Sequence, residues 1–358
     1  MTPSSATDVP YRLTRLGVIM RADPAADLES AGVLNPASGR TPDGRLWLLP
    51  RLVAAGNVSR VGLAEVVIED GRPTGVRRDG VVLAPDAGWE RSHEHAGVED
   101  PRTTWIARLG LHVMAYVAFG PFGPKPALAV SDDLRNWRRL GPLQFDYQPD
   151  LDTDLNLFSN KDVVLFPEPV PGPDGRPSYA LLHRPTWDLG WIQGKSEDLY
   201  LPAGLDEPRP GIWISYAPAE DVERDVRALT RVGQHRLVAL PVHDFEALKI
   251  GAGPPPLRVE EGWLLIHHGV SGSLDEGWAP QRNVHYAAGA MLLDPADPAR
   301  VLARTAQPLL VPSLDEERDG TVPNVVFPTA IEQIDGQHFV FYGMADSAIG
   351  VALLEGTR

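Results

Sequence analysis

Apolar residues along this chain recur in short alternating runs, and the runs pair across glycine turns. LWLLPRLV passes through GNVS into RVGLAEVVIEDGRP, and TWIARLGLHVMAYVAF is followed by PALAVSDDLRNWRRL. KDVVLFPEPV, SYALLHRP and GIWISYAP make a third set. PPLRVEEGWLLIHHGV with YAAGAMLLDPADPARVLA makes a fourth, and NVVFPTAIEQIDGQHFVFYGMADSAIGVALLE closes the series. Runs of β-rich residues broken by Asp-Gly, Leu-Gly and Glu-Gly predict hairpins, because such turns need residues that accept positive φ. Helical periodicity is scarce. One stretch, Pro218–Leu229 (PAEDVERDVRAL), has helical composition, and prolines interrupt the other candidates.

Five such units predict an all-β chain. Four-stranded blades arranged radially, as a five-bladed β-propeller with a central pocket, fit a length of 358 residues. A β-sandwich of this length would need two domains and a linker, and no low-complexity stretch or charge run marks one. The expectation is a single domain over residues 1–358, with a short N-terminal extension covering about 1–15. In a propeller the first strand of each blade lines the channel, so polar residues at its entry face the axis.

Each unit opens on such residues. The first has Asn35 and Arg51, the second Glu99-Asp100-Pro101-Arg102, the third Asn160-Lys161-Asp162 and then His183-Arg184. The fourth has Lys249, His267-His268 and Tyr286; the fifth has Asn324 and Asp346. Singly, each has a plain structural reading. Asp-Pro-Arg makes a turn with a surface ion pair, a lysine ends a strand in solvent, and a histidine beside another histidine packs. Their common phase argues otherwise, since turns alone need no shared phase and buried charges need partners.

Composition narrows the class. The chain carries 33 Lys+Arg against 48 Asp+Glu, a formal charge of −15, and no cysteine. Disulfides, thiolate metal sites and cysteine nucleophiles are excluded. An acidic chain without a basic run is a poor nucleic-acid binder. No apolar stretch reaches membrane-span length and no signal peptide is visible, so a cytoplasmic enzyme without membrane contact is expected.

VEDPR, NKDVVLFPE, HRP, KIGAGPPP, GWLLIHHGV, YAAGAMLLD, NVVFP and YGMADSAIGVA together resemble glycoside hydrolase family 130, the β-mannoside phosphorylases and related β-mannosidases. The likeness runs from about Asn35 to Leu353. It implies a five-bladed β-propeller that cleaves a β-mannosidic bond with inversion, inorganic phosphate as co-substrate and α-mannose 1-phosphate as product. Asp100 stands at the general-acid position of the family. Its proton would pass to the leaving oxygen through a mannose hydroxyl. Lys161, Arg184, Lys249 and Tyr286 match phosphate-binding positions, and His268 is a further candidate. Asn35, Arg51, Arg102 and Asp346 match or adjoin the mannose subsite, and His183 is placed toward the acceptor. Lysine at 161 replaces the arginine of some members, keeping the charge but losing the planar fork.

Elementary chemistry agrees with that implication. Inverting transfer needs a proton donor on one face of the sugar and a nucleophile on the other. A hydrolase needs a second carboxylate to activate water, whereas phosphate arrives anionic and needs cations. No metal and no organic cofactor is expected. A carbohydrate and phosphate are the expected partners, and assembly into homo-oligomers stays open. Two alternatives remain: a β-mannosidase of the same family, and a non-catalytic glycan-binding propeller. Asp150, Asp152, Asp154 and Asn156 alternate like a calcium loop but lack its glycine and distal glutamate. His93, Glu94 and His95 lack the helical metal-ligand spacing, so both segments read as loops. Rim loops at 92–97, 145–159 and 187–209 would choose the acceptor.

Overall fold

The computed structural model describes residues 9–92, 95–187, 200–274 and 281–357. The chain is all-β, and the expected hairpins form. At Asp70-Gly71 and Asp335-Gly336 both turn residues take positive φ (49° and 70°, 47° and 80°). That geometry matches the twist of the flanking strands.

Five antiparallel units follow one another. The first holds Gly32–Arg40, Leu46–Ala54, Val58–Glu69 and Arg72–Leu83. The second holds Ala96–Ile106, Leu111–Gly120, Gly123–Ser131 and Arg138–Pro142. Two parallel pairs, Val58 with Ala96 and Ser59 with Gly97, join these into one sheet. The third holds Ser159–Leu165, Pro177–Thr186, Ile212–Pro218 and Arg231–Ala239. The fourth holds Lys249–Ala252, Gly262–Ser273, Asn283–Leu293 and Val301–Arg304. The fifth holds Val326–Ile334, Gln337–Met344 and Ala348–Gly356, and its outer strand is the N-terminal Tyr11–Arg21. That strand runs antiparallel to the last, from Tyr11 opposite Gly356 to Arg21 opposite Ala348. Residues 11–15 were expected in an extension. They belong to the sheet instead, because they cap an edge whose backbone groups would otherwise lack partners.

Buried apolar clusters sit between consecutive units. Trp47, Val61 and Met114 pack together between the first and second; Leu128, Val163 and Leu181 between the second and third. Val164, Ile214 and Trp263 lie between the third and fourth; Leu264, Ala290 and Tyr342 between the fourth and fifth. Ile19, Val33, Leu48 and Phe339 join the fifth to the first.

A polar brace also repeats. Glu29, Glu90, Glu246 and Glu317 are each buried as the third residue of a short helical turn. Each pairs with an arginine of its own unit's outer strand: Arg78 (2.7 Å), Arg139 (2.8 Å), Arg304 (2.7 Å) and Arg15 (2.8 Å). Tyr116 and Tyr342 donate to Glu90 and Glu317, and His267 contacts Glu246 from the equivalent strand. The helix Ala219–Arg224 falls on the stretch of helical composition. The one-turn helix Asp315–Arg318 was not expected. Among the described residues no helix is long and apolar enough to cross a membrane.

Candidate active site

Three inner strands carry the same irregularity. Asn35-Pro36, Asp100-Pro101 and Asp162-Val163 each place two residues opposite one on the neighbouring strand. The first residue of each bulge is left-handed, with φ of 42°, 47° and 57°. Asn and Asp tolerate that region better than other side-chain-bearing residues, and a bulge re-aims the side chain it carries. The three polar groups thereby turn toward a common space. Asp346 reaches the same space from a hairpin turn in the fifth unit, with φ of 51°.

That space is a cavity of about 130 Å³ lined by Asn35, Arg51, Asp100, Lys161, Asp162 and Arg184. Lys249, His268, Gln281, Tyr286, Phe327 and Asp346 complete its polar and aromatic wall. Asn35 Nδ2 donates to Asp100 Oδ1 at 2.8 Å, and Arg51 Nη1 donates to the same oxygen at 3.0 Å. Arg51 Nη2 donates to Glu99 at 2.8 Å and its Nε to Ser59 at 2.8 Å. Arg184 Nε donates to Asp162 Oδ2 at 2.5 Å, while Lys161 Nζ lies 3.6 Å from Glu99. The Tyr286 hydroxyl donates to Gln281 at 3.0 Å, and Lys249 Nζ stands 5.6 Å over the Tyr286 ring. Glycine at 251 is obligatory here, since a Cβ would overlap the Asp162 carboxylate and the His268 ring.

Charge in the cavity is unevenly settled. Burial lowers the pKa of Lys249 to about 7, and the neighbouring Arg184 and Lys161 add to that against the pull of Asp162. Burial raises Asp346 to about 6; Asp100 and Glu99 reinforce the rise while Arg51 opposes it. Burial also pushes Asp100 upward, but Arg51 and Lys161 outweigh it and hold this carboxyl below its ordinary range. Burial keeps His268 neutral despite Asp162 at 3.5 Å. Both His268 nitrogens and Asn35 Oδ1 are buried without a hydrogen-bond partner. Buried groups of this kind take a partner from ordered water or a polar ligand.

A family model described as beta-1,4-mannooligosaccharide phosphorylase matches residues 44–356. The chain belongs to glycoside hydrolase family 130. The 1,2-beta-oligomannan phosphorylase of Thermoanaerobacter sp. (strain X514) is 33% identical over 270 residues, 74% of this chain and 71% of its own length. The beta-1,2-mannobiose phosphorylase of the same strain is 34% identical over 269 residues, 74% of this chain and 69% of its own. Among solved structures, the beta-1,2-mannobiose phosphorylase from Listeria innocua with beta-1,2-mannobiose superposes with a TM-score of 0.70. It is 22% identical, and the match covers 98% of this chain and 97% of that one, a likeness of fold.

Of the residues singled out from the family 130 motifs, nine line the cavity: Asn35, Arg51, Asp100, Lys161, Arg184, Lys249, His268, Tyr286 and Asp346. Arg102 and His183 do not. Arg102 is buried beneath the cavity, donating to Asp162 at 3.2 Å and to the Gly253 and Ala252 carbonyls at 3.0 and 3.1 Å. It is almost fully buried and does not line the cavity. His183 sits opposite the Asp162-Val163 bulge, as Tyr116 sits opposite the Asp100-Pro101 bulge. It contacts Asn160 at 3.0 Å and Ser215 at 2.8 Å, and Ser215 reaches His235 at 2.7 Å. It is a fully buried core histidine that does not line the cavity. Asp162 and Gln281 line the cavity without having been assigned from the sequence. The signal for Asp162 was its place beside Asn160 and Lys161 at the opening of the third unit, as Asp100 follows Glu99 in the second.

The loop around Asp150–Asn156 is tied by its own side chains: Asp154 accepts from Asn156 N, and Asn156 exchanges two hydrogen bonds with Phe145. His93 and Glu94 lie outside the described residues, as does most of 187–209. Among the described residues no group of three or more acidic or histidine side chains is arranged to hold a metal ion.

Proposed function

We propose that this cavity performs inverting phosphorolysis of a β-mannosidic bond, releasing α-mannose 1-phosphate. The observation that carries the reading is that a half-buried lysine, Lys249, lines one cavity with two further cations, Arg184 and Lys161. Asp162 and Glu99 offset Arg184 and Lys161 in part, and in a chain of −15 the three cations together give phosphate a local well. Tyr286 and the unpartnered His268 supply neutral donors to the same anion. Asn35, Arg51 and Asp346 take the mannose hydroxyls.

In this mechanism a phosphate oxygen attacks the anomeric carbon from the side opposite the leaving group. The glycosidic C–O bond breaks, and the leaving oxygen receives the proton of Asp100 through a mannose hydroxyl. Arg51 and Lys161 hold Asp100 ionised when no phosphate is bound. Bound phosphate neutralises the field of Lys161 and adds its own negative charge, so Asp100 takes up its proton in the complex. The five units form the blades of one five-bladed propeller domain. The apolar cluster joining the fifth unit to the first supports that closure. Both curated relatives described above are named for β-1,2 linkages, which makes β-1,2-mannobiose the first substrate to test.

A hydrolytic reading has one observation in its favour, since Asp346 at about 6 has a basicity suited to activating water. Incubating the protein with β-1,2-mannobiose, with and without phosphate, separates the two. Phosphorolysis gives mannose and α-mannose 1-phosphate only when phosphate is present. Free mannose produced equally in its absence assigns hydrolysis.

A further inference from the structure

The inner strands that present the active-site residues at one end border a second cavity at the other. It measures about 580 Å³ and draws on all five units, among them Arg40, Thr103, Trp105, Glu332, Pro167 and Pro255. Arg102 lies one residue before Thr103 and is pinned between Asp162 and the Gly253 carbonyl. Its fully buried side chain belongs to the floor of the first cavity, so the two spaces have different linings.

Several polar groups of this second cavity can accept hydrogen bonds. His112 Nε2 lies 3.0 Å from the Arg40 carbonyl, which can only accept. The ring proton therefore sits on Nε2, and burial keeps the ring neutral, leaving Nδ1 as a bare acceptor. Nδ1 and the Thr103 hydroxyl are buried without partners, in residues only 3% and 6% exposed. Glu332 accepts one bond, from Ser38 at 2.8 Å, with Arg40 Nε at 3.7 Å. Arg40 spends its other nitrogens on the Gly44 and Gln333 carbonyls. Beside these acceptors Trp105 is 47% exposed, its ring 4.6 Å from that of His112, and prolines wall the remainder.

A fitting ligand brings hydrogen-bond donors together with one apolar face, and Glu332 and Asp132 disfavour an anion. We infer that this far cavity binds a pyranose sugar, its hydroxyls donating to His112 Nδ1 and Glu332 and its C–H face lying on Trp105. The site is separate from the catalytic cavity and does not depend on the reaction assigned there.

The test is calorimetric titration of the full chain with β-1,2-mannobiose, using Asp100→Asn to stop turnover, with and without a second change, Trp105→Ala. Two sugars per chain are expected for the first protein and one for the second, or at least a tenfold loss of the second affinity. Trp105→Ala in the otherwise unaltered enzyme should keep kcat/KM within twofold, which also shows that it folds. Thr103→Val gives an independent check on the same stoichiometry. Identical titrations with and without Trp105 overturn the proposal. A heat of binding for tetramethylammonium that exceeds the sugar's, and that Trp105→Ala abolishes, also overturns it by assigning the cavity to organic cations.

Discussion

Lys161 and Arg184 are direct cross-strand partners on adjacent strands of the third unit. Like charges placed opposite one another weaken a sheet. Each is anchored differently, Arg184 on Asp162 at 2.5 Å and Lys161 toward Glu99 at 3.6 Å. Their juxtaposition is therefore accommodated by one carboxylate each, and both cations line the cavity.

Lys161 is the cleaner of the two to test, because Arg184 also holds a buried carboxylate. Lys161→Gln should raise the phosphate KM by about 10- to 100-fold, the worth of one charged hydrogen bond. Lys161→Arg should recover most of it. Arg184→Gln should add a loss of thermal stability, since Asp162 is then left with Arg102 and a neutral histidine. Initial rates against phosphate concentration, with melting curves, separate the two effects.

Phosphate binding should also depend on Lys249. Its pKa is about 7 in the folded protein against 10.5 for a free lysine. Between these values the unfolded chain holds a proton that the native chain has lost, so this residue favours folding as pH rises through that window. Binding has the opposite sign, because phosphate prefers the charged lysine. The phosphate KM should rise with pH above about 7, with proton uptake on binding measurable by calorimetry in buffers of different ionisation heat. Lys249→Met should bind phosphate weakly at every pH and abolish the uptake assigned to this group.

Asp346 couples function to stability in a different direction. Its pKa stands at about 6 in the folded chain against 3.8 when free. Its favourable contribution is complete below pH 3.8 and is lost as pH rises through 6. Asp346→Asn should therefore stabilise the protein at pH 7, by up to about 3 kcal/mol, and change little at pH 3.5. Activity should move the other way. A neutral Asp346 is a poorer acceptor for a mannose hydroxyl, so kcat/KM should fall below pH 6 in the parent. The variant should be slow and lack that limb. Melting temperatures at the two pH values and a pH–rate profile give both readings.

The strand runs and hairpin turns were legible because alternation and Asp-Gly are local signals. Asn35, Asp100, Lys161 and Lys249 were legible because they lie on the first strand of a unit, and Arg51, Arg184, His268, Tyr286 and Asp346 through the motifs that follow. Arg102 and His183 lie away from the cavity for different reasons. In a regular strand Asp100 and Arg102 would face the same side, but the bulge between Glu99 and Arg102 breaks the period of two. Arg102 turns beneath the pocket as a result. His183 fails for the opposite reason: it neighbours Arg184 in an unbroken stretch of strand, so the two point to opposite faces. Asp162 was noted among the polar residues that open the third unit but was given no role there. The N-terminal strand depends on an edge more than three hundred residues away, which no local pattern announces.

That distant edge is locked by Glu317. Arg15 of the N-terminal strand donates to it through Nε at 2.8 Å and Nη2 at 3.1 Å. Tyr342 donates at 2.9 Å, and the backbone amides of Ser313 and Leu314 at 2.7 and 3.0 Å. Glu317 is fully buried, so Glu317→Ala strips a guanidinium, a phenol and two amides of one shared acceptor. Breaking a buried pair from one side costs about 3–5 kcal/mol. The denaturation midpoint should fall accordingly, and amide exchange should quicken in residues 11–21 before the rest of the fifth unit. None of these groups lines the cavity, so the phosphate KM of the folded fraction should stay within twofold. A large rise in that KM would mean that closing the N-terminal strand onto the last sheet also sets the geometry of the cation cluster.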